Sequence, residues 1–171
     1  MKDNIPTSAK VVVIGGGIAG CSVAYHLTEF GWNDIVLLER DQLTSGTTWH
    51  AAGLLGQVGA SATITKLRNY SLNLYKKLQE ETGIETGLKQ NGSLTVATDT
   101  ERLEELKRQA TFAQRFNIQV DEVNIDKITE LYPLINTKDI VGGIYIPKDG
   151  QADPIGITNV LAKAAKKNGA K

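Results

Sequence analysis

The stretch from Lys10 to Arg40 constrains this chain more than any other. Val11–Ile14 is a short apolar run, β-branched throughout, and reads as a buried strand. Gly15-Gly16-Gly17-Ile18-Ala19-Gly20 follows at once. Helical spacing then takes over, with Ala24 and Leu27 on one face and Gly31 as the stop. Ile35–Leu38 is a second apolar run, closed by Glu39. The order is strand, glycine turn, helix, strand, acid, which is an α/β pattern. Each glycine has a task in a dinucleotide-binding turn. Gly15 lets the chain turn sharply, Gly17 lets a pyrophosphate approach the backbone, and Gly20 lets the helix pack closely on the sheet. The helix N-terminus, at Ile18 and Ala19, offers N–H groups and a partial positive charge to phosphates. Glu39 lies nineteen residues after Gly20, at the tip of the second strand. A carboxylate there accepts ribose hydroxyls and repels a 2′-phosphate. An ordinary glycine turn is the plainer alternative, and the motif alone does not separate NAD from FAD.

Composition narrows the function classes. The 171 residues suffice for one core and are short for two domains. Nineteen basic residues balance nineteen acidic ones, so nothing points to nucleic acid or to an anionic membrane. The single cysteine, Cys21, excludes an intramolecular disulfide and a cysteine metal cluster. It falls in the first turn of the glycine-loop helix, where it reads as a small buried filler; a thiol activated by the helix terminus is the alternative. Met1–Lys10 lacks the apolar core of a secretory signal and the arginine-rich pattern of a transit peptide. Val11–Leu27 is apolar but broken by four glycines and too short for a membrane span. The expected setting is a reducing aqueous interior: the cytoplasm, or the mitochondrial matrix if the source is eukaryotic.

After Glu39-Arg40 the pattern departs from a nicotinamide-binding domain, which would continue with further strand–helix units. Asp41–Gly56 is instead rich in small and hydroxyl residues, with Trp49 and His50 set into it. Small residues allow a large flat ligand to come close, and free N–H and hydroxyl groups bind phosphate oxygens. Such a loop suits a cofactor that runs past the second strand, as a flavin would. From spacing alone His50 reads first as a hydrogen-bonded structural residue. The other histidine, His26, lies mid-helix, and the two do not make a metal site.

Gly15-x-Gly17-x-x-Gly20-x-x-x-Ala24, then Glu39-Arg40, then Ser45-Gly46-Thr47-Thr48-Trp49-His50-Ala51-Ala52-Gly53 resembles the N-terminal part of the dimethylglycine and sarcosine dehydrogenase family. These belong to the wider D-amino-acid-oxidase-like, FAD-dependent amine oxidoreductases. Trp-His within a Ser-Gly-Thr-Thr loop is the specific part. The resemblance implies a Rossmann-like FAD-binding domain of the glutathione-reductase type, with the start of an interleaved α+β substrate domain. It implies that His50 is bonded to the flavin 8α-methyl carbon. It places Gly15, Gly17, Ile18, Ala19, Gly20, Glu39, Arg40, Ser45, Thr47, Thr48, His50, Ala52, Gly53 and Leu54 along the cofactor, and it assigns no general base.

The remaining elements are read from pattern. Thr63–Glu81 carries an apolar stripe of Ile64, Leu67, Leu74 and Leu78 and ends at Gly83, a core-facing helix. Asn91-Gly92 is a turn, and Ser93–Ala97 alternates like a strand. Asp99 or Thr100 caps a helix to about Phe116, with Leu103, Leu106, Ala110 and Ala113 inward. Ile118–Val123 is a strand candidate, and Asn124 caps a short helix before Pro133. Ile140–Ile146 is a strand in which Gly142-Gly143 marks a bulge or a close backbone contact. Asp153-Pro154 caps a helix that ends at Asn168-Gly169. Asp149 and Asp153 read as loop and cap residues; contact with a basic substrate or the flavin is the alternative for Asp149. Residues 1–60 and 140–171 are expected in the FAD-binding domain and 61–139 in the inserted segment. A βαβ pattern asks for a strand after the last helix, so the chain reads as a fragment that does not act alone.

The implied activity is oxidative demethylation of a secondary or tertiary N-methyl amino acid such as sarcosine or dimethylglycine. Hydride passes to flavin N5, and the resulting iminium loses its one-carbon unit to water or tetrahydrofolate, the latter bound in a C-terminal region outside these residues. An electron-transfer flavoprotein or another acceptor is implied. Open alternatives are an oxygen-using amine oxidase of the same fold, an NAD-binding dehydrogenase, and a regulatory paralogue. The regulatory relatives lack the Trp-His pair, so its presence favours an enzyme.

Overall fold

A computed structural model describes residues 6–171. The reading of Met1–Lys10 as free of a targeting signal falls partly on residues 1–5, outside the described residues. The chain divides into two compact units.

The first unit holds the chain up to Gly53, Leu74–Leu88 and Ala152–Lys171. Strand β1, Val11–Ile14, pairs in parallel with β2, Ile35–Leu38, in the register Val11↔Ile35 to Ile14↔Leu38. Helix α1, Ile18–Glu29, joins them and buries Cys21, Ala24 and Tyr25. Gly31, at φ +80°, ends it. Across α1 lies the last helix, Pro154–Lys167, whose Ile157, Val160, Leu161, Ala164 and Ala165 are buried. Asp153 caps that helix as expected, its carboxylate accepting from the N–H groups of Ile155 and Gly156, with Pro154 in the first turn. Lys171 then exchanges backbone hydrogen bonds with Ile35 and Leu37, so the chain returns alongside β2.

The second unit holds Leu54–Asn73 and Lys89–Gln151. Two-residue strands β3, Leu54–Leu55, and β7, Gly150–Gln151, form one antiparallel pair. Strands β4, Ser93–Ala97, β5, Asp121–Val123, and β6, Gly142–Ile146, form an antiparallel sheet in the order β4-β6-β5. Helix α3, Thr100–Gln114, lays Leu106 and Ala110 on Ala97 and Ile144. Short helix α4, Ile125–Leu131, is capped by Asn124, and α3 by Asp99. A Cβ on Gly143 would run into the Thr95 carbonyl, so the expected close backbone contact is present.

Four expectations shift. Strand β1, read as buried, leaves Val12 and Ile14 exposed, because its flank is not covered by the described residues. The strand expected over Ile118–Val123 begins at Asp121. Asn117 is left-handed, at φ +56°, and the Ile118 N–H bonds back to the Ala113 carbonyl, so Ile118 closes α3 before the strand starts. The strand expected from Ile140 begins at Gly142, because Ile140 is bonded into a turn with Thr137. Helix α2, Ala62–Thr82, buries Leu74 and Leu78 as read, but also Leu72 and Thr65, and leaves Ile64 and Leu67 exposed. Thr65 goes inward because its hydroxyl accepts the Gly59 N–H at 3.0 Å.

Asp149 is buried in the second unit. Its carboxylate accepts the Gln57 N–H at 2.7 Å and the Ser93 hydroxyl at 2.7 Å. It therefore ties the 56–57 loop to the start of β4, which is the loop role read for it. Asp149→Ala leaves a buried donor unmet and is expected to cost about 2–4 kcal/mol. Urea unfolding measures this; an unchanged midpoint would contradict the buried network.

Candidate dinucleotide-binding site

The site is built on the junction of β1 and α1. Gly15 takes φ +105°, which a side chain would resist, and its N–H donates to the Leu38 carbonyl at 2.8 Å. A Cβ on Gly20 would overlap the Gly15 carbonyl oxygen, so α1 lies directly on the turn. A Cβ on Gly17 would stand 3.0 Å from Thr48 Oγ1. These positions match the turn and packing roles expected of Gly15 and Gly20.

Gly16 is the residue the spacing rule missed. Its N–H donates to Glu39 Oε2 at 2.6 Å, and its carbonyl accepts the Thr44 N–H at 3.1 Å. Leu43 covers its Cα, with Cδ2 2.5 Å from where a Cβ would be. A side chain here would have to displace Leu43 and crowd Glu39. The signal was present as the middle glycine of a three-glycine run, but the motif treats that position as free.

Glu39 also accepts the Asp41 N–H at 3.0 Å through Oε1. The Asp41 and Gly16 N–H groups hold its carboxyl below the ordinary value of 4.5. A carboxyl lowered in the folded state contributes stability above its ordinary value and loses that contribution as pH falls through the folded value. The gap in thermal midpoint between the native protein and Glu39→Gln is therefore expected at about pH 6 and should shrink as pH falls below 4.5. A gap that stays constant across that range would rule out this role.

The loop after β2 folds back over the turn. Thr48 is buried, and its hydroxyl accepts the Ile18 N–H at 3.1 Å, capping α1 in place of an N-cap side chain. Thr48–His50 forms one turn of 3₁₀ helix, which presents His50 outward with its ring against Trp49, centroids 3.9 Å apart. Ser45 and Thr47 are exposed, as are Ala19, Arg40 and Ala52. Gly53, at φ +71°, lies on the Ala152 carbonyl. Leu54 belongs to β3 of the second unit and is exposed.

Cys21 is fully buried, and burial, with the charge of Glu39 adding to it, pushes its thiol up to about 11. The filler reading holds and an activated thiolate does not. Beside Glu39 and Leu43 a cavity of about 570 Å³ runs along Val36–Leu38 to Ala162 and Ala165. Among the described residues no group of three or more His, Cys, Asp or Glu is placed to hold a metal. Among them, too, no helix is long and apolar enough to cross a membrane.

The family model for "FAD dependent oxidoreductase" matches residues 10–171. This chain belongs to the FAD-dependent oxidoreductase family. It is 43% identical to human mitochondrial sarcosine dehydrogenase over 97% of its own length and 18% of that protein's. It is 44% identical to rat mitochondrial dimethylglycine dehydrogenase, over 94% of this chain and 19% of the relative. The mouse mitochondrial pyruvate dehydrogenase phosphatase regulatory subunit is 42% identical, over 96% of this chain and 19% of the relative. The chain thus spans under a fifth of the length of these relatives. Among solved structures, L-proline dehydrogenase from P. horikoshii superimposes with a TM-score of 0.89 at 29% identity, covering 98% of this chain and 44% of that one. FAD-family membership removes the NAD reading that the glycine motif left open.

Proposed function

We propose that this chain forms the dinucleotide-binding part of a flavoenzyme that oxidatively demethylates sarcosine, dimethylglycine or a similar N-methyl amino acid. The observation that carries the reading is the clamped glycine turn with the Thr48–His50 turn folded onto it. The residues fit the cofactor: Gly15, Gly16 and Gly17 carry no side chain before α1, and the hydroxyl-bearing loop lies beside it, with Thr48 on the Ile18 N–H. When bound, FAD supplies the two-electron acceptor chemistry. Gly15, Gly17 and Gly20 would leave room for the pyrophosphate, with Ile18, its N–H held by Thr48, and Ala19 at the helix N-terminus beside it. Ser45, Thr47 and Thr48 would donate hydroxyls to the phosphates. Glu39, with Arg40 beside it, would take the ribose: each carboxylate oxygen has lone pairs beyond those used by Gly16 and Asp41. Ala52, Gly53 and Leu54 would line the flavin, and His50 would carry the tether, since its exposed imidazole is open to attachment.

In this reading residues 1–60 and 140–171 belong to the FAD-binding domain and 61–139 begin the substrate domain, although the compact units put 54–60 and 140–151 with the second and 74–88 with the first. An electron-transfer flavoprotein is the proposed acceptor, and the matrix the proposed location in a eukaryote. Tetrahydrofolate, as one-carbon acceptor, is assigned no residue here. A regulatory role is the second reading, because the phosphatase regulatory subunit is nearly as similar as the enzymes. Against it stands the Trp49-His50 pair.

Anaerobic addition of methylamines to the purified holoprotein separates the two. Bleaching of the flavin by sarcosine or dimethylglycine, and not by glycine, is expected. A bound flavin that neither amine bleaches would favour the regulatory reading.

A further inference from the structure

Thr44 is held in the left-handed region, at φ +73°. Glycine and asparagine adopt that conformation readily, whereas a β-branched residue there is an outlier. Thr44 is nonetheless only 8% exposed, and its N–H donates to the Gly16 carbonyl at 3.1 Å. Its neighbour Leu43 lies over the Cα of Gly16. Four residues later Thr48 accepts the Ile18 N–H. One strained backbone angle thus sits between two bonds that fasten the loop to the glycine turn.

We propose that Thr44 is a positioning residue whose left-handed state is the state in which the glycine turn captures a dinucleotide. The inference rests on the reading of that turn as the dinucleotide site. Were Thr44 to relax to an extended φ, its N–H could stay on Gly16 but the chain after its Cα would swing away, and the path that brings Thr48 to α1 would be lost. Only the fraction of molecules with the loop in place binds, so the apparent dissociation constant rises as that fraction falls. The strain of a β-branched residue lowers the fraction, and a residue at ease in the left-handed region raises it.

The test uses a His50→Ala background, in which flavin can only bind reversibly. FAD is titrated into the apoprotein and its fluorescence quenching followed, for the background alone and with Thr44→Gly or Thr44→Asn added. Both additions are expected to tighten FAD binding by about three- to tenfold and to leave the thermal midpoint no lower. Unchanged or weaker binding in both would overturn the proposal, even with a raised midpoint, since relief of purely structural strain moves stability alone. Failure of the background protein to bind FAD at all would instead defeat the cofactor assignment on which the inference rests.

Discussion

Alanine at position 20 is expected to empty the dinucleotide site and to destabilise the first unit. In an ordinary helix Gly→Ala gains about 1 kcal/mol. Here the new methyl would overlap the Gly15 carbonyl oxygen and touch Val13 Cγ1. Gly15 cannot retreat freely, because its N–H is bonded to Leu38 at the end of β2. Forcing a methyl against fixed backbone costs roughly 3 kcal/mol, so the clash outweighs the propensity gain and about 2 kcal/mol is lost. The larger effect falls on binding, since α1 must lift from the turn that receives the pyrophosphate. Flavin per protein should drop at least about tenfold, as a shift of this size in the turn corresponds to 1.4 kcal/mol or more. Absorbance of the purified variant and its thermal midpoint report the two effects. A Gly20→Ala protein with full flavin and an unchanged midpoint would show that α1 does not rest on Gly15 as described.

His50→Ala should abolish covalent flavin while leaving the fold intact. The imidazole is exposed and its one described ring contact is with Trp49, so stability should change by no more than about 0.5 kcal/mol. The native protein, denatured in acid, should precipitate with its flavin, whereas the variant should release it into the supernatant. The pairing of large cofactor loss with small stability loss distinguishes a tether from a structural histidine. A histidine serving only the fold would show the reverse.

Much of this site was legible because glycine and capping rules are local. Gly15 and Gly20 are set by turn and packing, and each can be read from its neighbours in sequence. The same locality made Asp99, Asn124 and Asp153 readable as caps and gave the bounds of Ser93–Ala97. What escaped depends on partners distant in the chain. Gly16 is demanded by Glu39, Leu43 and Thr44, twenty or more residues away, and no periodicity encodes that clamp. Thr44 escaped because its residue type argues against the conformation it adopts. The stripe on α2 was half right, since apolar spacing names a face but not which part of a long helix is covered. Thr65 went inward for a hydrogen bond that a hydrophobicity pattern does not register. Ile118 looked like the start of a strand and instead closes a helix, because Asn117 turns left-handed before it.

Which dinucleotide the glycine turn holds, and where it is joined to the chain, decides the rest. Peptide mapping of the purified holoprotein by mass spectrometry answers both. The predicted result is a peptide containing His50 that carries the mass of FAD less the hydrogens lost on bond formation, with fragmentation placing the adduct on the imidazole. An unmodified His50 peptide, together with release of a nicotinamide dinucleotide or of no dinucleotide at all, would contradict it.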